Sequence, residues 1–165
     1  MSNSMKQIKL IFCVSCLAIG FVLSALSGCS NKLEVQQDVA WKKVCTKWGS
    51  PMAKVREMMR TYTLKSSSST VLTYKGKYPV EALSYQFAED SLCAVVVLMD
   101  AEVVEKADIR SSFSGYQALG ENNSSELYIG YSDETLATIT SHKIGEKEYF
   151  SVGYADLGNV IVPAK

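Results

Sequence analysis

Five cysteines, one histidine and nine tyrosines are the residues of this 165-residue chain whose types could support chemistry beyond simple charge pairing. A metal centre needs three or four converging ligands. His142 is the sole histidine, and two of the cysteines, Cys13 and Cys16, sit in an uninterrupted apolar run. Cys45 and Cys93 are too few, and too apolar in setting, to complete a zinc site without borrowed carboxylates. His142, between Ser141 and Lys143, reads as an exposed strand or turn residue. Nucleophilic hydrolysis needs a base held beside the nucleophile. No Gly-x-Ser-x-Gly elbow is present, and Ser66 to Ser69 reads as a loop. A Cys–His pair of Cys93 or Cys45 with His142 keeps a thiol enzyme open as an alternative, alongside a small hydrolase. The carboxylate pairs Glu89-Asp90 and Asp133-Glu134 fall at predicted turns, the ordinary place for charge. No glycine-rich phosphate loop or dinucleotide fingerprint occurs. No catalytic residue, metal ligand or cofactor is therefore assigned.

The remaining cysteine, Cys29, has a different context. Lys6 and Lys9 precede an uncharged stretch from Leu10 to Leu26, the order that keeps charge on the cytoplasmic side while an apolar segment enters a bilayer. As a helix this stretch covers roughly 25 Å, just short of a ~30 Å hydrocarbon core, so length alone leaves a single-span anchor open. The run ends in Leu26-Ser27-Gly28-Cys29-Ser30, which resembles a bacterial lipobox. The resemblance implies a signal peptide over 1–28 and diacylglycerol on the Cys29 thiol. Acyl chains (palmitate among them) then form the membrane anchor, and residues 29–36 act as a tether. Each buried methylene contributes about 0.8 kcal/mol to such an anchor. Ser30, where an aspartate suggests inner-membrane retention in some bacteria, favours the outer membrane. The periplasmic or external side is left open.

Across the whole chain 17 basic residues balance 17 acidic ones. That balance gives no electrostatic case for nucleic acid, which calls for a basic stripe or patch. An exported compartment permits a Cys45–Cys93 disulfide, while the apolar settings of both residues make two small core hydrophobes the plainer reading. The tyrosines are the compositional oddity. Tyr74, Tyr85, Tyr128, Tyr131, Tyr149 and Tyr154 are candidates for a binding face toward protein or carbohydrate, since tyrosine gives large contact area with little entropy loss. Tyr128 and Tyr131 cannot share it if they lie on one strand. The alternative places most of the rings under helices.

Positioning these groups requires elements. Ala40, Trp41, Val44, Cys45 and Trp48 form a helical stripe between Leu33 and Trp48. Gly49 ends it, Ser50 reads as an N-cap and Pro51 as the first helical residue. The next helix carries Met52, Val55, Met59 and Tyr62 on one face. Thr70 to Tyr74 reads as a strand. Leu83, Tyr85 and Phe87 alternate with Ser84, Gln86 and Ala88 as a second; after a Glu89-Asp90 turn, Leu92 to Met99 makes a third. The order then recurs. A helix within 103–119 aligns Ile109, Phe113 and Tyr116, Gly120 to Ser125 reads as a loop, and Leu127–Tyr131, Leu136–Thr140 and Tyr149–Tyr154 as strands. The expected fold class is α+β, a two-layer antiparallel sheet covered by helices. A tandem αβββ repeat is expected, with modules 37–102 and 103–165 packed as one domain.

Trp48-Gly49-Ser50-Pro51, Val55, Met59, Leu72-Thr73-Tyr74, Leu83-Ser84-Tyr85-Gln86-Phe87 and Leu92-Cys93 resemble a family of small envelope lipoproteins of unknown function common in gut Bacteroidetes. The arrangement is also similar to the beta-lactamase-inhibitor-like fold, helices leading into a three-stranded meander. The resemblance implies a scaffold or binding module, or an inhibitor or sensor that docks an enzyme through its sheet. It carries no catalytic residue. The expected function is a lipid-anchored, non-enzymatic binding protein of the cell envelope, attached to the membrane through Cys29, with an envelope protein or carbohydrate as partner.

Overall fold

The computed structural model describes residues 47–122 and 124–159. The expected signal peptide and tether, Cys29, Cys45, the expected helix up to residue 46 and the apolar tail at Val160–Pro163 lie outside the described residues, while Lys47 and Trp48, placed at the end of that helix by the sequence, are not helical. Within them, helix α1 (Met52–Met58) is followed by β1 (Leu64–Ser67), β2 (Val71–Lys75), β3 (Val80–Ala88) and β4 (Ser91–Asp100). Helix α2 (Lys106–Ser111) then leads into β5 (Gln117–Glu121), β6 (Ser125–Gly130), β7 (Thr135–Ile144) and β8 (Lys147–Asp156).

All eight strands join one antiparallel sheet in the order β1-β2-β3-β4-β8-β7-β6-β5. Each half is a meander, and the last strands of the two meanders meet in the centre, from Ala94↔Ala155 to Asp100↔Tyr149. The fold is therefore the expected two-layer α+β arrangement, an antiparallel sheet packed against two helices.

Each helix is followed by four strands rather than three. The additional strands, β1 and β5, occupy the two sheet edges and are exposed along their whole length. An edge strand with nothing packed on either face needs no alternating apolar residues, so Leu64–Ser67 and Gln117–Glu121 lack the period that marks the inner strands.

The core lies between the sheet and the helices. Val55 and Met59 from α1, and Ile109 with Phe113 from α2 and the turn after it, pack on Leu72, Leu83, Tyr85, Val95, Val97 and Val152. A stripe of this kind supplies about 1.5–3 kcal/mol per fully buried aliphatic side chain before entropy is charged against it. Neither helix exceeds seven residues, too short to persist alone in water, so this burial is what holds them helical.

The start of α1 differs from the sequence reading. Pro51, with extended dihedrals, stands in the N-cap position and offers no side-chain cap, and Ser50 does not cap the helix. Instead the Asp90 carboxylate accepts the Met52 backbone N–H at 3.0 Å. Asp90 and Glu89 form the two-residue β3–β4 turn, both with positive φ. That conformation is strained for residues other than glycine, and aspartate is retained at a position where its side chain reaches the helix. The Trp48–Pro51 corner is fastened to the same hairpin by Gly49 N–H donating to the Leu92 carbonyl at 3.0 Å and Leu92 N–H donating to Ser50 at 2.9 Å. A Pro51↔Ser91 bridge continues the pairing.

Candidate functional site

One side of the sheet carries both helices. On the other no described element is packed. Alternation assigns that second side its residues, and the ladder aligns them: Thr73, Ser84, Val96, Gly153, Thr138 and Leu127 stand in one line from β2 to β6. Gln86, Ala94, Ala155, Leu136 and Ile129 form the next. These side chains are small or uncharged throughout, and they are buried or half-buried. Charge lies toward the rim, in Lys75 at the end of β2, in Asp100 with Lys147 (3.5 Å apart) near the β7–β8 turn, and in Glu81 and Glu102, which act on Tyr149. A small apolar cluster of Ala82, Leu98 and Tyr149 with Ile144 sits on the same side.

The hydroxyls of this face satisfy one another across strands. Thr73 and Ser84 are 3.2 Å apart, and Ser125 donates to Thr140 at 3.2 Å. Among the described residues no buried side-chain polar atom lacks a partner. A surface whose polar groups are already paired makes no strong demand for hydrogen bonds from a ligand. It suits contact governed by shape and apolar area.

His142 belongs to this face, near its Lys147 end. Its Nε2 lies 2.7 Å from Ser151 Oγ, and burial lowers its pKa, favouring the neutral ring. The distance is within reach of base-assisted nucleophilic attack. The surroundings do not complete that chemistry: Ser151 is 4% exposed, and the residue paired across the ladder from His142 is Tyr149 rather than a carboxylate. The expectation of an exposed strand or turn position is corrected to a half-buried strand position on the helix-free face.

The six tyrosines do not share a surface. Tyr74, Tyr85, Tyr128 and Tyr154 point toward the helices and belong to the main core. Tyr74 and Tyr85 meet edge to face at 6.0 Å, Phe113 stacks on Tyr128 at 5.2 Å, and the Tyr85 hydroxyl approaches the Met59 sulfur at 3.3 Å. Burial raises the Tyr154 phenol well above its ordinary pKa. Tyr149 faces the helix-free side, and Tyr131, 68% exposed, lies in the β6–β7 turn. Most of the rings thus lie in the layer between the helices and the sheet.

Cys93 is a free thiol at the bulge between β3 and β4. It donates to the Gln86 carbonyl at 3.4 Å, and burial pushes its pKa up. That is the reverse of an activated nucleophile. Among the described residues no group of three His, Cys, Asp or Glu side chains could hold a metal ion.

Two polar constructions fix the helix side. Glu126 on β6, 4% exposed, accepts from Arg110 Nε at 2.8 Å and Arg110 Nη2 at 2.5 Å, from Lys106 at 2.6 Å and from the Tyr128 hydroxyl at 2.7 Å. The Arg110 guanidinium holds its carboxyl down at about 2 against the desolvation that opposes it. Secondly, Trp48 Nε1 donates to Thr135 Oγ1 at 3.1 Å, and Thr135 donates to the Asp133 carbonyl at 3.0 Å. The Asp133 carboxylate accepts from Tyr116, whose phenol burial and this bond push up to about 12. Neither construction was visible in sequence, because each joins residues brought together only by the ladder. The helix-free face did carry a signal: Thr73, Ser84, Thr138 and Thr140 recur opposite the apolar positions of their strands.

No family model matches the chain, and no curated protein or solved structure matches it either.

Proposed function

We propose that the chain is a lipid-anchored, non-enzymatic binding or scaffold protein of the bacterial cell envelope, held to the outer membrane through Cys29, and that it engages an envelope protein through the helix-free face of its sheet. The observation that carries the reading is an uncharged line of the ladder, Thr73, Ser84, Val96, Gly153, Thr138 and Leu127, of which Val96, Thr138 and Leu127 are partly exposed. It continues across six strands and has no described element upon it. The Leu26-Ser27-Gly28-Cys29 sequence after an apolar run supports the anchor. A protein partner fits this surface better than carbohydrate, because the aromatic rings on which sugars stack are mostly on the other side of the sheet. An inhibitor or sensor docked on an enzyme falls within the same reading.

Two measurements test it separately. Mass spectrometry of the N-terminal fragment from a lipoprotein-processing host should find diacylglycerol on Cys29, and Cys29→Ser should prevent that modification. A photo-reactive residue placed at Val96 or Thr138 should capture one discrete envelope protein in cells, whereas the same residue at Met58 on the helix side should not. Equal capture from both sides would remove the recognition half of the proposal, and an unmodified Cys29 would remove the anchor.

A further inference from the structure

The balanced charge of the chain conceals a polarised fold. Between Met52 and Pro79 there are six basic residues and one acid, and between Glu102 and Asn159 there are ten acids and four bases. The basic segment forms one edge of the sheet through β1 and β2, the acidic one runs from the central β8 to the far edge, and residues 80–101 between them add four acids (Glu81, Glu89, Asp90 and Asp100) and no base. The basic end is a continuous surface. Arg56 of α1 donates to Ser67 of β1 at 2.5 Å, and Lys65 lies on that same edge strand. Lys77 sits 5.6 Å above the Tyr62 ring, and Lys75 N–H donates to the Thr63 carbonyl at 2.8 Å. Arg56, Arg60, Lys65, Lys75 and Lys77 are all exposed. The one acid of the segment, Glu57, is engaged by Lys54 at 2.9 Å, and among the described residues none of the other five has an ion-pair partner.

The described chain enters the sheet at this end. Lys47 leads through the Trp48–Pro51 corner directly into α1. Fully extended, the stretch from Cys29 to Lys47 spans at most about 60 Å. A lipid on Cys29 would therefore confine the domain to that reach of the bilayer, where weak contacts act as intramolecular ones.

We propose that the edge formed by α1, β1 and β2 rests on the anionic lipid headgroups of the membrane that holds the N-terminus. This orients the sheet so that its acidic end and helix-free face project away from the lipid. The proposal rests on the anchored reading above. Each lysine or arginine close to an anionic surface contributes about fivefold in binding, so several acting together give a preferred orientation even after screening by salt.

The test uses the full chain reconstituted into vesicles of phosphatidylcholine alone or of phosphatidylcholine with phosphatidylglycerol. Lysines are acetylated briefly and mapped by mass spectrometry. Lys65, Lys75 and Lys77 should react severalfold more slowly in the anionic vesicles, Lys143 should react equally in both, and about 1 M salt should abolish the difference. Arg60→Glu with Lys65→Glu should restore the reactivity of Lys75 and Lys77, with unchanged thermal unfolding. Equal reactivity in the two lipid compositions overturns the proposal. So does protection that follows protein density rather than lipid charge, because it would assign the basic edge to the acidic end of a second copy. The acylation state of Cys29, read in the same mass spectra, reports on the anchor independently of this composition dependence.

Discussion

Replacing Glu126 with glutamine removes one buried negative charge while keeping side-chain length and one carbonyl acceptor. In the native chain that carboxylate joins α2 to β6 through Arg110 and Lys106 and accepts the Tyr128 hydroxyl. Its pKa is lowered from 4.5 to about 2, first by the Arg110 hydrogen bonds. Taken alone, a shift of that size corresponds to a ceiling of about 3 kcal/mol at neutral pH. The Arg110 side chain is 49% exposed, and solvent screening brings the expected contribution to about 1–2 kcal/mol. For a domain of this size that is a fall in Tm of roughly 4–8 °C. The sign follows from the direction of the shift. A carboxyl whose pKa is depressed on folding stabilises above its unfolded value, and that stabilisation is lost as pH falls through the folded value. The wild-type advantage over Glu126→Gln should therefore be complete at pH 7, begin to shrink below about pH 4.5 and nearly vanish near pH 2. Thermal unfolding by circular dichroism at several pH values measures it, with Glu57→Gln, which alters only an exposed pair, as the control that scarcely moves. A gap between wild type and Glu126→Gln that is constant from pH 7 to pH 2.5 would refute the electrostatic account and leave only side-chain shape.

Four further outcomes follow from the same geometry. Asp90→Ala should lower stability by about 1–2 kcal/mol through loss of the α1 cap, whereas Asp90→Gly should be milder, because glycine relieves the positive φ that alanine keeps; urea midpoints distinguish the two. Thr135→Val leaves the Trp48 indole N–H without its acceptor and should cost about 1–2 kcal/mol in the same assay, with a changed tryptophan emission on the native baseline. Burial depresses the His142 pKa, so the unfolded chain binds the proton more readily; stability should fall as pH drops below about 6.5, and His142→Phe should flatten that slope. Proton NMR of the one histidine should show it titrating below its unfolded value. Cys93 should resist iodoacetamide in the native state and react readily in urea, and rapid native alkylation would reopen the thiol-enzyme reading.

The inner strands were legible because each has one covered face. Leu83, Tyr85 and Phe87 alternate with Ser84, Gln86 and Ala88 at period two, and the structure buries the first set under the helices. Val55 with Met59, and Ile109 with Phe113, were likewise marked by helical spacing. What escaped was anything whose environment is made by another part of the chain. Edge strands β1 and β5 carry no burial pattern because both their faces are exposed. Ser50 has the chemistry of a cap, yet the cap of α1 comes from Asp90, remote in sequence and adjacent only once the hairpin closes. The tyrosines were ambiguous for a related reason. Alternation sorts side chains into two sets but does not say which set the helices cover.

That same ambiguity explains how the sheet divides its labour. The layer between the helices and the sheet holds Tyr85, Tyr128, Tyr154 and Phe113, with Phe113 packed against both Tyr128 and Tyr154. The ladder's other face sets threonine, serine, alanine and glycine among the larger Gln86, Leu98, Leu127, Leu136 and Tyr149, and its hydroxyls pair across strands. Its paired hydroxyls leave little unmet hydrogen-bonding demand among the described residues. Apart from the Glu126 cluster and the Asp100–Lys147 pair, basic residues gather beside α1 and acidic ones predominate from Glu102 onward. The proposed contact on the face and the proposed orientation at the edge draw on different residues of the sheet. Enlarging the face, as in Gly153→Leu, should disturb partner capture without affecting lipid-dependent lysine protection, and coupling of the two effects would show that face and edge are not independent.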